Sequence, residues 1–155
     1  MQDSIKLDIE SQVATITINR EERRNSLDHV AMQALQLALR QCSEDDVNVI
    51  VLTGAGQVSF CAGDDIKAYA DRTPRESARH HERGLAGFDE LENHPCLTIA
   101  AIQGFCLGGG LELALSCDLR FAGCSAQFGL PEVRKLGAMP SWGGLTRLPK
   151  VVGIG

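Results

Sequence analysis

The sequence predicts an α/β fold, with crossover helices laid over a largely parallel sheet. Three observations point there. Segments with strand patterning and segments with helix patterning run strand, strand, helix, strand, helix, strand, helix, strand along the chain. No Pro/Ser-rich linker, low-complexity tract or charge block divides them, so a single domain is expected over residues 1–155. A hydrophobic content of 44 % in 155 residues suffices for one sizeable core. The order also hints at a repeated strand–strand–helix unit, although no internal sequence repeat is visible.

Residues 5–10 alternate apolar and polar side chains, and 13–19 do so again, the two-residue period of a half-buried strand. From Leu27, apolar residues recur at Ala31, Ala34, Leu35, Ala38, Leu39 and Cys42, the spacing of an amphipathic helix. Ser26 is its expected N-cap, with Asp28 in the first turn. Residues 47–53 form a run rich in β-branched side chains, the mark of a buried strand. Residues 74–93 read as a helix carrying two poor helix formers, Gly84 and Gly87. Another apolar strand covers 97–103. Residues 108–117 read as a helix apolar on nearly every face, hence buried, and 118–122 as a last short strand.

A formal charge of −5 argues against a general nucleic-acid binder. The N-terminus lacks the basic start and apolar run of a signal peptide, and no apolar stretch approaches membrane-spanning length. A soluble, cytoplasmic protein without membrane partners is expected. Cys42, Cys61, Cys96, Cys106, Cys117 and Cys124 include no CxxC pair and lie mostly in apolar segments. They read as reduced thiols rather than a disulfide framework or a metal site. His29, His80, His81 and His94 show no ligand spacing, and Trp142 reads as packing.

Two acids carry the chemistry. Glu112, in Gly108-Gly109-Gly110-Leu111-Glu112, and Glu132, in Gly129-Leu130-Pro131-Glu132, interrupt apolar stretches where an unpaired carboxylate is costly to bury. Gly54-Ala55-Gly56 follows a strand but opens no helix, so a dinucleotide fingerprint is weak, and no phosphate-cradling GxxxxGK[ST] occurs. The triglycine does open a helix. There, glycines let a ligand approach N–H groups that have no partner within the helix. Residues three apart share a helix face, so the Glu112 carboxylate is expected to lean back toward the N–H of Gly109. That geometry suits an acid or base beside an anion-stabilising hole. A triglycine needed only for packing, with Glu112 paired to an arginine, is the competing reading.

Four segments together resemble the crotonase superfamily, the enoyl-CoA hydratase/isomerase family. They are Ile18-Asn19-Arg20 with Arg24-Asn25-Ser26-Leu27; Phe60-Cys61-Ala62-Gly63-Asp64-Asp65-Ile66; residues 104–114 around the triglycine; and Phe128-Gly129-Leu130-Pro131-Glu132 with Pro140-Ser141-Trp142-Gly143-Gly144. The resemblance covers almost the whole chain. It implies a crotonase-like spiral of ββα units, with the family's C-terminal helical part absent from this chain. It implies an acyl-CoA thioester substrate, coenzyme A entering only as part of that substrate, and no metal or redox cofactor. The oxyanion hole would use the N–H groups of Asp64 and Gly109. Glu112 and Glu132 match the two glutamates of the hydratase branch, one activating water for attack at Cβ and the other delivering a proton to Cα. Family precedent places CoA against the loop holding Ala62, Asp65 and Ile66. Arg23 and Arg24 are either phosphate contacts or solvated surface residues. A homotrimer or a dimer of trimers is implied.

Three positions depart from the family pattern. Asp64 stands where a small residue is usual and brings a carboxylate close to the hole. Leu136-Gly137 lies one residue further from Glu132 than its family counterpart. Ser141 replaces a glycine. Isomerisation of the double bond, with Glu132 alone shuttling the proton, is the runner-up activity. A non-catalytic crotonase-like binding protein, including one that binds RNA, and a Clp-type serine protease rank below it. Arg72, Arg75, Arg79 and Arg83 fall at helical spacing, but Asp71, Glu76 and Glu82 among them favour a solvated, salt-bridged face.

Overall fold

The computed structural model describes residues 4–67 and 72–154. The chain begins with β1 (Ile5–Glu10) and β2 (Val13–Ile18), an antiparallel hairpin. Polar residues alternate outward while Ala14, Ile16 and Ile18 are fully buried, as the period of two requires. Helix α1 (His29–Glu44) follows. Its N-cap is Asp28, whose Oδ1 accepts the Ala31 N–H at 2.8 Å, and not Ser26. The cap moves because 25–27 are drawn into the core: Asn25, Ser26 and Leu27 are buried, and the Ser26 carbonyl accepts from Arg20. Ala31, Met32, Leu35, Ala38, Leu39 and Cys42 are the buried stripe.

The chain then runs three times along the same path of long strand, short strand and helix. The first turn is β3 (Val49–Gly54), β4 (Ser59–Cys61) and α2 (Pro74–Glu92). The second is β5 (Leu97–Ile102), β6 (Phe105–Leu107) and α3 (Gly109–Leu115). The third is β7 (Leu119–Ala122) and β8 (Gln127–Gly129), followed by a π-helical turn (Glu132–Leu136) and α4 (Gly144–Val152). Strands β3, β5 and β7 add in parallel to β2, giving the order β1-β2-β3-β5-β7. The short strands form a second parallel sheet, β4-β6-β8. This is the spiral of ββα turns that the resemblance implies.

The run at 47–53 is buried on one face only: Ile50 and Leu52 are fully inside, while Val49 and Val51 are half-buried. Gly84 and Gly87 sit inside α2 for packing reasons. A Cβ on Gly84 would overlap the Trp142 indole, and one on Gly87 would lie 3.1 Å from the Gln36 amide of α1. Thr73 and Glu76 close a capping box at the start of α2, which offsets part of the cost of those glycines.

Candidate active site

Strands β4 and β6 are neighbours running in the same direction, so the loops leaving their C-terminal ends lie side by side. Each loop turns at a glycine with positive φ, Gly63 at 97° and Gly108 at 55°, a conformation that favours glycine. The loops touch: a Cβ on Gly63 would sit 2.9 Å from the Leu107 carbonyl and 3.0 Å from the Gly109 nitrogen. The next N–H groups in each loop, those of Asp64 and Gly109, donate to no acceptor among the described residues. Two unspent amides thus converge at the start of α3, where the helix dipole adds positive potential.

The first loop is pinned. Leu27 exchanges backbone bonds with Gly63 and Asp65 at 2.8 and 3.0 Å, and the Ala62 N–H donates to the Arg24 carbonyl at 3.0 Å. Arg20 reaches Asp65 at 3.0 Å and Asp28 at 2.7 Å. Burial pushes the Asp65 carboxyl up, but the Arg20 guanidinium outweighs it and holds the group below the usual carboxylate range.

Glu112 lies on α3 at 2 % exposure. Its Oε1 accepts the N–H groups of Trp142 and Gly144, each at 2.8 Å. Both donors come from the 142–144 loop, which packs against α3. Ser141 lines the cavity but does not hold the carboxylate. No arginine pairs with Glu112 among the described residues. Burial, and secondarily the charge of Glu132, push the Glu112 carboxyl above its ordinary value despite the two amides. Arg147, at 5 % exposure, fixes the loop by donating to the Trp142 carbonyl at 2.8 Å while bridging Asp89 and Glu92.

Glu132 opens the π-helical turn, the form in which one extra residue enters a helical turn. That turn accommodates the longer spacing to Leu136-Gly137. The Glu132 carboxyl is half-buried, its Oε2 is buried without a partner among the described residues, and burial pushes its pKa up. A Cβ on Gly108 would lie 2.9 Å from Glu132 Oε1, so the acid stands beside the turn that presents the Gly109 amide.

One cavity of ≈ 420 Å³ gathers Ala62, Asp64, Ile66, Gly109, Glu112 and Glu132. Its remaining walls are mostly apolar, including Pro131, Leu136, Met139 and Trp142. Of the other residues singled out from the sequence, Asp65 is committed to Arg20, and Arg24 is exposed with its guanidinium 5.7 Å from the Phe105 ring centroid. Neither lines the cavity. Arg72, Arg79 and Arg83 share a separate cleft of ≈ 280 Å³ with Glu76, whereas Asp71 lies outside the described residues.

The Asp64 carboxylate is engaged by His80 of α2. Its Oδ2 lies 2.9 Å from His80 Nε2 and 3.7 Å from Arg72 Nη1, and its Oδ1 is buried. Sequence reading missed His80. A signal existed: His80, Gly84, Gly87, Phe88 and Leu91 recur at helical spacing and are the buried residues of α2. His81 lines the cavity, and burial, with His80 beside it, pushes its ring pKa down. Trp142, at 2 % exposure, packs edge-on against His80 and Phe88 at 5.3 and 5.4 Å.

A family model described as enoyl-CoA hydratase/isomerase matches residues 8–155. The short-chain-enoyl-CoA hydratase of Clostridium acetobutylicum is 39 % identical over 154 residues, covering 99 % of this chain and 59 % of that protein. The crotonyl-CoA hydratase of Syntrophomonas wolfei is 38 % identical over 154 residues, with the same coverage of 99 % and 59 %. Among solved structures, an enoyl-CoA hydratase from Bacillus anthracis matches with a TM-score of 0.93 at 39 % identity, over 98 % of this chain and 59 % of that one. The chain therefore spans 59 % of the length of these relatives.

Proposed function

This chain belongs to the enoyl-CoA hydratase/isomerase family, and from that membership we propose that the protein adds water reversibly across the α,β double bond of an enoyl-CoA thioester. One observation carries the reading: Glu112 and Glu132 line the same cavity as the two unspent amides of Asp64 and Gly109. The thioester oxygen takes both N–H groups as it gains enolate character, a preorganised stabilisation of about 3 kcal/mol per donor. Glu112, as carboxylate, removes a proton from water attacking Cβ, and Glu132, as acid, delivers a proton to Cα. Each turnover leaves Glu112 protonated and Glu132 ionised, and transfer of that proton back to Glu132 restores the starting state. Two carboxyl groups whose pKa values are both raised by burial favour such a half-protonated pair, because a second negative charge in one apolar cavity is costly.

Support for the CoA contacts is positional. Ala62 and Ile66 line the cavity, and Arg24 is exposed beside the Ala62 loop. Asp65 serves that loop through Arg20. A homotrimer or a dimer of trimers is the assembly proposed, supported by apolar side chains such as Phe121 and Phe128, both more than half exposed at 63 and 51 % and neither lining the cavity. The test is incubation of the intact protein with crotonyl-CoA, following loss of the conjugated enoyl absorbance and formation of 3-hydroxybutyryl-CoA. Absence of that product, across short, aromatic and dicarboxylic enoyl-CoA esters, would overturn the reading.

A further inference from the structure

We propose that His80 is a positioning residue that couples the two halves of the oxyanion hole, reaching one through Asp64 and the other through Trp142. The proposal rests on the hydratase reading only in taking a thioester oxygen as the occupant of the hole.

His80 is 7 % exposed and sits between two groups that touch the hole. On one side its Nε2 meets the Asp64 carboxylate at 2.9 Å, with Arg72 at 3.7 Å from the same oxygen. The Asp64 side chain and the Asp64 N–H belong to one residue. Anchoring the carboxylate on α2 restricts rotation about that peptide and so sets where the N–H points. From the other side the loop is already held by Leu27 and Arg20, so the Asp64 amide is clamped at both ends.

On its other edge the His80 ring packs against Trp142 at 5.3 Å and 62°. The same indole fills the space into which a Cβ of Gly109 would project, and the backbone N–H of Trp142 donates to Glu112 at 2.8 Å. A shift of His80 therefore reaches both hole amides and one catalytic carboxylate at one remove, through Asp64 and Trp142, the two residues its ring touches. Burying a His–Asp contact carries a desolvation cost, and an apolar pair of the same shape packs as well. A polar contact at this point holds direction, which packing alone does not.

Three variants of the intact protein separate positioning from bulk packing. His80→Phe keeps a ring against Trp142 and removes the Nε2 contact. His80→Gln restores an amide donor toward Asp64. Asp64→Ala removes the carboxylate and keeps the hole N–H. Each is measured for kcat and KM with crotonyl-CoA, and for the 13C shift of the labelled thioester carbonyl of bound butyryl-CoA. In His80→Phe, kcat falls about tenfold, within the range that sub-ångström misplacement produces, while KM stays within about twofold. The carbonyl resonance moves toward its free-ligand position, and His80→Gln recovers most of both effects. In the Asp64→Ala background, His80→Phe costs less than about twofold, the signature of coupled residues.

An unchanged carbonyl shift in His80→Phe overturns the coupling. So does a full tenfold loss in the Asp64→Ala background, or a Gln variant no better than Phe. If His80→Phe does not fold, the carbonyl shift in His80→Gln and Asp64→Ala decides: near-native in the first and displaced in the second supports the coupling, and the reverse overturns it. Failure of the wild type to hydrate any enoyl-CoA, with a shifted and His80-dependent carbonyl, overturns the hydratase reading and leaves the coupling standing.

Discussion

Replacing Glu112 with Gln separates the charge of this residue from its position. Oε1 accepts two N–H groups at 2.8 Å each, and a Gln carbonyl oxygen can accept both. Turning two charge-assisted bonds into neutral ones weakens each by about 1 kcal/mol. Opposing that loss is removal of a carboxylate at 2 % exposure, whose desolvation costs several kcal/mol. The direction of the pKa shift decides between them: burial raises the Glu112 carboxyl above its ordinary value, so the environment disfavours the charge and relief of desolvation wins. The native protein keeps this proton to higher pH than the unfolded chain does. Wild-type stability is therefore lost as pH rises from the ordinary carboxylate range through the raised native value. Gln does not titrate. The variant should melt above the wild type at neutral pH, and the gap should close below the ordinary carboxylate range. Hydration of crotonyl-CoA should drop by about 10²–10⁴, the usual contribution of a positioned acid or base. Thermal melts between about pH 4 and pH 8 test the first outcome and enoyl absorbance the second. A variant less stable than the wild type at neutral pH would show that the two amides outweigh the desolvation of the Glu112 charge, and one that still hydrates at full rate would show that Glu112 is not the base.

Double-bond migration of a 3-enoyl-CoA by the same Glu112→Gln variant distinguishes the runner-up activity: it should be no faster than hydration, and full-rate migration would favour an isomerase. Gly109→Ala forces a methyl into the Trp142 ring, so kcat should fall about 10²–10³-fold as one hole donor is displaced. Denaturant unfolding of that variant should show a loss of about 1–3 kcal/mol from overpacking. Arg147→Met frees the loop that grips Glu112; the Asp89 and Glu92 side chains are 53 and 43 % exposed and can resolvate, so the stability loss should stay at about 1–2 kcal/mol while kcat falls more than KM rises. Leu113→Ala, at a fully buried position of α3, should cost about 2–5 kcal/mol in urea unfolding, and a loss below 1 kcal/mol would contradict the packing described.

The long strands and three of the helices were legible because each carries enough residues to display its period. The second sheet was not. Strands β4, β6 and β8 have three residues each, too few for alternation to register, and they hold their place through pairing with one another across the spiral. Helix α4 escaped notice because glycines open it and Pro149 lies inside it. The N-cap of α1 was misplaced by two residues because tertiary pairing of Leu27 with the Asp64 loop overrides the local preference of Ser26. At the site, Glu112 and Glu132 stood out as acids in apolar surroundings. Their supports did not. Trp142 and Gly144 lie 30 and 32 residues from Glu112, and His80 lies 16 from Asp64, separations with no local geometry to read.

The most direct test of two carboxylates working on one water beside a gripped thioester is a crystal structure of the intact protein with a bound, non-hydratable acyl-CoA. The thioester oxygen should lie within about 3 Å of the Asp64 and Gly109 nitrogens, with a single water bonded to both Glu112 and Glu132. A thioester oxygen bound elsewhere in the cavity, or two glutamates that share no water, would contradict it.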